Sequence, residues 1–437
     1  MKLNSLRFRI VYLILFVVAC IIAAYRLPAY ISRLPWFIVL VISDLYIYKW
    51  LYKPDIRIGR SLRITLVFFT FLSSLMILCF FLSLAILSPL DWNPVCRTYL
   101  LAFSFLFYLI RLFPLCVLLF NDVRKLVISA ILRKKTAYFK IRLPIIVSFL
   151  LSFFTAVIYL SGVFYWVYNF HIVEKEVCIK GLPEDFDGYR IVHISDFHLG
   201  RWHSKEPLKR AFNMINSLYP DMIAFTGDLV NYATVEAQPY KEILAGINAK
   251  DGIFAVMGNH DYGDYLRWND VDRKTENLKD LQQFYKDLGW TLLDNTNDVI
   301  IRNNNRLYIA GTGNFSTSNH YPDYCNLDAT LRNIPDSGRL VLLTHNPRII
   351  SEIKATDRSF HLVLSGHTHG LQIGVSMCNK EFSPASFIFK YWGGFYEIHT
   401  DQNQKINLYV NRGLGHIAFP ARIGMKPEIT LLVLKAA

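Results

Sequence analysis

An aspartate and a histidine stand two residues apart at Asp196-Phe197-His198, directly after the apolar run Tyr189 to Ile194. Four further polar clusters follow: Gly227-Asp228, Gly258-Asn259-His260-Asp261, Thr344-His345-Asn346 and Gly366-His367-Thr368-His369-Gly370. Neutral imidazoles and carboxylates suit zinc, iron or manganese. Together the clusters hold too many such groups for one ion, whereas a carboxylate shared between two cations lets them sit about 3.5–4 Å apart. The glycines beside them permit close backbone approach. Taken singly, a Gly-Asp is a common turn and a strand-end histidine is usually hydrogen-bonded. Five clusters in this order point to a two-metal site.

Residues so far apart must be carried to one place by regular elements. The runs Ile191–Ile194, Met222–Phe225, Gly252–Val256, Leu340–Leu343 and Leu362–Leu364 are short enough for buried strands. Helix-period stretches lie between several of them, at Ser204 to Leu218, Lys274 to Leu288 and Pro347 to Ile353. Alternating strands and helices predict an α/β sheet domain whose strand ends feed a shared crevice. Asn303–Asn305, between two short apolar runs, reads as a hairpin turn.

The chain has 437 residues, is 53% hydrophobic and carries a formal charge of +13; with a mean hydropathy of +0.27 it is too apolar for one ordinary soluble fold. Residues 1–142 hold 19 Lys+Arg and 4 Asp+Glu, a net +15, leaving 47 − 19 = 28 against 34 − 4 = 30, a net −2, for the remainder. The basicity thus belongs to the apolar half, and a nucleic-acid partner is not expected. Five membrane spans are predicted: Ile10 to Tyr25, Trp36 to Leu51 with its Asp44 and Lys49, Thr65 to Leu90, Tyr99 to Phe120 interrupted by Arg111 and Pro114, and Leu143 to Tyr168. Asp44 and Lys49 are expected to pair or snorkel. Positive charge alternates: Lys2, Arg7 and Arg9 precede the first span; Lys53, Arg57, Arg60 and Arg63 follow the second; Arg124, Lys125, Arg133, Lys134, Lys135, Lys140 and Arg142 follow the fourth. The loops between hold Arg26, Arg33 and Arg97. That pattern puts the amino terminus in the cytoplasm and everything after about residue 170 outside it. The boundary expected is 1–170 for the membrane domain and 171–437 for the catalytic one. Seven scattered cysteines without a CxxC pair say little about redox compartment.

The motifs Asp-x-His, Gly-Asp, Gly-Asn-His-Asp, a lone His and Gly-His-x-His, spanning Asp196 to His369, resemble those of the calcineurin-like metallophosphoesterases, which include the purple acid phosphatases. Gly-His-Thr-His-Gly-Leu-Gln and the later Tyr-Val-Asn-Arg-Gly-Leu-Gly resemble its membrane-associated bacterial branch. The resemblance covers roughly residues 170–437 and implies a two-sheet, four-layer α/β sandwich in a bacterial plasma membrane protein. It further implies two divalent ions (Mn, Fe or Zn), with Asp196, His198 and His369 on the first, Asn259, His345 and His367 on the second, and Asp228 between them. A hydroxide shared by the two ions would attack phosphorus in line with the leaving oxygen. His260 would stabilise charge or protonate the leaving group, and Asp261 would orient it. Arg201, Trp202 and His203 follow the first motif and either reach substrate or form a surface loop. Arg412, after the strand-like Leu408–Val410, either holds a phosphate or forms a structural salt bridge.

The expected function is hydrolysis of phosphate ester or pyrophosphate bonds in a membrane or envelope substrate. Its partners would be membrane lipids and a phosphate-containing, lipid-linked substrate. A broad phosphodiesterase or phosphomonoesterase merely tethered by the spans is the second reading, and a non-catalytic scaffold or transporter the third. The full ligand set argues against the third. The aromatic stretch Phe382 to Tyr396, which carries Phe387, Phe389, Tyr391, Trp392 and Phe395, is either a core strand or a loop dipping into the membrane interface.

Overall fold

A computed structural model describes residues 2–27, 34–53, 59–132, 142–268, 270–318, 321–377, 380–400 and 404–437. The chain divides into two compact units, Met1–Val163 and Phe164–Ala437.

The first unit holds the helices Lys2–Arg26, Leu34–Leu51, Arg60–Ser83, Pro94–Leu132 and Arg142–Phe164. Among the described residues, all but Leu34–Leu51 are long and apolar enough to cross a membrane, four where five spans were expected. Pro114 lies inside the fourth helix and does not end it, since neighbouring groups in an apolar bundle can absorb a missing N–H. Asp44 is buried and does not pair with Lys49. It accepts the Tyr12 hydroxyl at 2.9 Å and a hydrogen bond from Ser74, and it lies 2.6 Å from Arg111 Nη1. Mutual neutralisation explains how Arg111 sits within an apolar helix. Lys53, two residues past the end of the second helix, pairs with Asp122 at 2.9 Å, so this pair and Asp44–Arg111, in ascending register, run the second helix parallel to the fourth. Arg33, Arg57, Arg133, Lys134, Lys135, Lys140 and Cys378 lie outside the described residues.

The second unit is built on two six-stranded sheets. In spatial order the first contains β1 (His171–Ile179), β14 (Glu428–Ala436), β2 (Arg190–Ile194), β3 (Met222–Phe225), β4 (Ile253–Ala255) and β5 (Thr291–Leu292). The second contains β12 (Gly394–His399), β13 (Lys405–Val410), β9 (Leu362–Ser365), β8 (Arg339–Leu343), β7 (Asn305–Gly311) and β6 (Thr296–Arg302). A separate antiparallel pair is formed by β10 (Val375–Met377) and β11 (Lys380–Phe382). The expected hairpin closes β6 onto β7 through Asn303 and Asn304, both with positive φ, 45° and 74°.

Strand residues alternate between faces, and here both faces are apolar. Ile191, Met222, Ala224, Val341, Leu343 and Leu364 fill the space between the sheets. Val192, Ile223 and Phe225 pack outward against Leu208 and Phe212 of the helix Glu206–Asn216 and Leu281 and Phe284 of the helix Val271–Asp287. On the other side Leu340, Leu342 and Val363 pack against Ile350 and Ile353 of the helix Ile350–Lys354. The result is four layers, with helices outside two sheets. Strands β2, β3 and β4 are mutually parallel, as are β7, β8 and β9. Their carboxyl ends therefore lie together at one edge of each sheet.

Candidate metal centre

Each motif begins within a few residues of such an end: Asp196 and His198 follow β2, Asp228 follows β3, Asn259 to Asp261 follow β4, His345 follows β8, and His367 and His369 follow β9. Turning a side chain into the crevice that soon after a strand demands unusual backbone. Asp196, His198, Asp228, His367 and His369 all have positive φ, between 47° and 73°, a conformation non-glycine residues adopt at a cost of about 1–3 kcal/mol each. Gly227, at φ 91°, abuts the backbone of Gly258. Gly413, at φ 76°, lies against Asp196, whose Cβ would be 2.7 Å from any Cβ placed there.

The sequence-predicted ligands converge. His198 Nε2 and His369 Nε2 are 3.0 Å apart, and His369 Nε2 is 3.2 Å from Asp196 Oδ1. Asp228 Oδ2 lies 3.2 Å from His345 Nε2 and 3.6 Å from His198 Nε2, and His367 Nδ1 is 3.1 Å from His345 Nε2. Donors about 2.1 Å from a shared ion and at right angles to one another are about 3.0 Å apart, so these spacings fit metal coordination. Three buried groups, Asp196/His198/His369, Asp196/Asp228/His345 and His198/Asp228/His260, each bring one donor atom per residue within 4.8 Å of the others. His345 Nδ1 donates to Thr226 O at 2.7 Å, which turns its Nε2 toward the cluster. Asn259 Nδ2 donates to the Tyr265 hydroxyl at 2.6 Å, while its buried Oδ1 finds no hydrogen-bond partner among the described residues. A cation would satisfy that oxygen.

Charge is poised for cation binding. Burial opposes ionisation of Asp196 and Asp228, but neighbouring imidazoles outweigh it and hold both carboxyls below their usual range. Burial pushes His198 well down and His367 down to about 3. His345 differs: burial disfavours its cation, but the carboxylate of Asp228 prevails and raises it to about 9. A metal ion would displace that proton.

His260 stacks on Tyr265, centroids 4.0 Å apart, and meets His198 edge-on at 4.9 Å. Its Nδ1 donates to Asn231 O at 2.7 Å rather than to Asp261. Burial holds its pKa below the ordinary histidine value. Asp261 turns away, accepting backbone N–H groups from Asp228 at 2.8 Å, Gly258 at 2.9 Å and Val230 at 3.1 Å. It clamps the loop bearing Asp228; the sequence reading had it orient His260.

Arg201 and Trp202 are buried and do not form a surface loop. Arg201 Nε donates to Asn231 Oδ1 at 2.7 Å, on the same residue whose carbonyl holds His260. His203 is exposed and packs edge-on against Tyr168. Arg412 takes its structural role: Nη1 donates to Glu428 at 2.6 Å and Nη2 to Glu381. The sequence reading missed Arg422, which is fully buried and donates through Nη2 to the carbonyls of Arg412 at 2.7 Å, Gly413 at 3.0 Å and Gly415 at 2.6 Å, with His369 Nδ1 at 3.3 Å. A lone arginine among prolines and glycines carries no pattern that would reveal this.

Residues 189–371 match the family described as calcineurin-like phosphoesterase. The uncharacterized metallophosphoesterase YkuE of Bacillus subtilis is 33% identical over 276 residues, covering 61% of this chain and 87% of that protein. The UDP-2,3-diacylglucosamine pyrophosphatase LpxG of Chlamydia muridarum is 30% identical over 288 residues, covering 54% and 81%. A Danio rerio transmembrane protein with metallophosphoesterase domain is 26% identical over 272 residues, covering 61% of this chain and 57% of that one. Fold and site together are those of a metal-dependent hydrolase of phosphoric esters. The chain belongs to the calcineurin-like phosphoesterase family.

Proposed function

We propose that this chain is a membrane-anchored phosphoesterase that holds two divalent ions and cleaves a phosphate ester or pyrophosphate bond in a lipid-linked substrate outside the cytoplasm. The observation that carries the two-metal reading is Asp228, whose Oδ2 lies within 3.6 Å of imidazole nitrogens from two separate motifs. Asp196, His198 and His369 would hold one ion, and Asn259, His345 and His367 the other, with Asp228 shared. When bound, the ions supply positive charge that acidifies a water and offsets charge on the phosphoryl oxygens.

The chain's own residues do the rest. Asp261 fixes the Asp228 loop through three amide bonds, so the shared carboxylate does not have to reorganise during reaction. The Asn231 carbonyl fixes the proton of His260 on Nδ1. Neutral in the resting site, His260 gains proton affinity beside an anionic phosphoryl group and can then donate from Nε2 to the leaving oxygen.

A lipid-linked substrate is supported by the apolar helices, which keep the catalytic unit at a membrane, and by the similarity to LpxG, named for cleaving a lipid pyrophosphate. The alternation of basic loops supports the extracytoplasmic assignment, which requires the helix Leu34–Leu51 to cross the membrane as well, so that the chain makes an odd number of crossings. Turnover of a phospholipid, a lipid pyrophosphate, a nucleotide diester and a simple monoester with manganese added tests the reading. Preference for a lipid substrate supports it, and preference for the soluble monoester refutes it.

A further inference from the structure

We propose that the β10–β11 hairpin and the turn after it form an apolar wedge that enters a lipid bilayer beside the metal centre. Val375 pairs with Phe382 and Met377 with Lys380, so Val375, Met377 and Phe382 share one face of the hairpin. All three are exposed, and they are followed by Phe387, 90% exposed, and Ile388. Among the described residues, the unit's other exposed large apolar side chains are Phe164 and Tyr165 at its start and the scattered Tyr219, Val235, Val271 and Ile301. Five exposed apolar side chains among the described residues of 375–388 therefore make a local concentration that water disfavours.

The wedge is anchored to the site. Glu381, on the opposite face of the hairpin, pairs with Arg412. Ser383 Oγ donates to Gly370 O at 2.6 Å, one residue past His369, and Phe389 meets His367 edge-on at 5.7 Å. Trp392 and Phe395, later in the same aromatic stretch, are half-buried.

Two observations choose a bilayer as the occupant. Behind the tip, Arg348 Nη2 donates to Ile388 O at 3.3 Å. Arg348, Lys354 and Lys390 line a groove of about 380 Å³ with Phe389 and Tyr391, and among the described residues no carboxylate lines it. Apolar side chains backed by cations suit acyl chains beneath anionic headgroups. The chain also supplies the surface, because only residues 165–170 separate the last apolar helix from β1.

The full-length chain, reconstituted in phosphatidylcholine vesicles containing phosphatidylglycerol with photoreactive benzoylphenylalanine placed at Phe387, is expected to form a lipid adduct on illumination. The same group at Tyr219, also exposed, should form none. No lipid adduct at Phe387, or equal yields at the two positions, overturns the proposal. A second arm, which alone rests on the phosphoesterase reading, compares turnover. The double variant Phe387→Ser/Ile388→Ser should lose roughly tenfold more activity on a vesicle-borne lipid phosphoester than on a soluble diester. Equal losses count against the wedge. Absence of all turnover in the unmodified chain refutes the phosphoesterase reading and leaves the crosslinking result to judge the wedge.

Discussion

Asp261 accepts the backbone N–H of Asp228 at 2.8 Å, so one buried carboxylate holds the loop that presents another. Replacing it with asparagine substitutes a weaker acceptor that also brings an unwanted N–H₂ against those amides. Asp261→Asn should cost about 1–3 kcal/mol and weaken metal binding without touching a ligand. Thermal unfolding and metal content measured on the same preparation check this.

The same pair gives a pH dependence. Burial first, and then the charge of Asp228, push the Asp261 carboxyl up from 3.8 to about 7. The folded chain thus holds this proton more tightly than the unfolded one. The associated stability is complete below about pH 3.8 and is lost as pH rises through about 7. In metal-free protein, the stability advantage of the unmodified chain over Asp261→Asn should therefore grow as pH falls across that window. An advantage that shrinks on acidification would contradict the assignment.

Asp228→Asn should remove metal and activity together. His260→Ala, by contrast, should keep both ions and lose about 10²–10⁴ in turnover, the usual worth of a positioned acid or base. Metal analysis beside a rate measurement separates the two. Retained activity in Asp228→Asn would refute the shared-carboxylate role.

Gly366 has no room for a side chain: a Cβ there would overlap the Ser195 hydroxyl and the Asp196 carboxylate. Gly366→Ala should displace Asp196 and lower metal affinity. Gly188, where nothing lies within 4 Å, has a positive φ of 77° and so reports strain alone. Gly188→Ala should cost stability and leave metal affinity intact, as titration of both variants would reveal.

Arg422→Met should strip the donors from the carbonyls of Arg412, Gly413 and Gly415 and cost about 3–5 kcal/mol, the range expected when a buried charged hydrogen-bonding group is removed. Unfolding by denaturant measures it.

The strand-end motifs were legible in the sequence because a parallel sheet imposes its own spacing: an apolar run, then a ligand, repeated at β2, β3, β4, β8 and β9. Both sheet faces are buried, so those runs are continuous and easily seen. The partners of Asp261, Arg412 and Arg422 were not legible. Their contacts join loops that only the folded sandwich brings together, and a hydrogen bond to a backbone amide or carbonyl leaves no mark on residue type. Arg111 looked like an interruption for the same reason, since Asp44 lies in another helix.

The central claim is most directly tested by counting metal in the purified full-length chain and following phosphoester hydrolysis through chelation and refilling. Two divalent ions per chain, with turnover lost on stripping and restored by manganese, is the result expected. Full turnover by the stripped protein, or activity with a single ion and Asp228 dispensable, would contradict it.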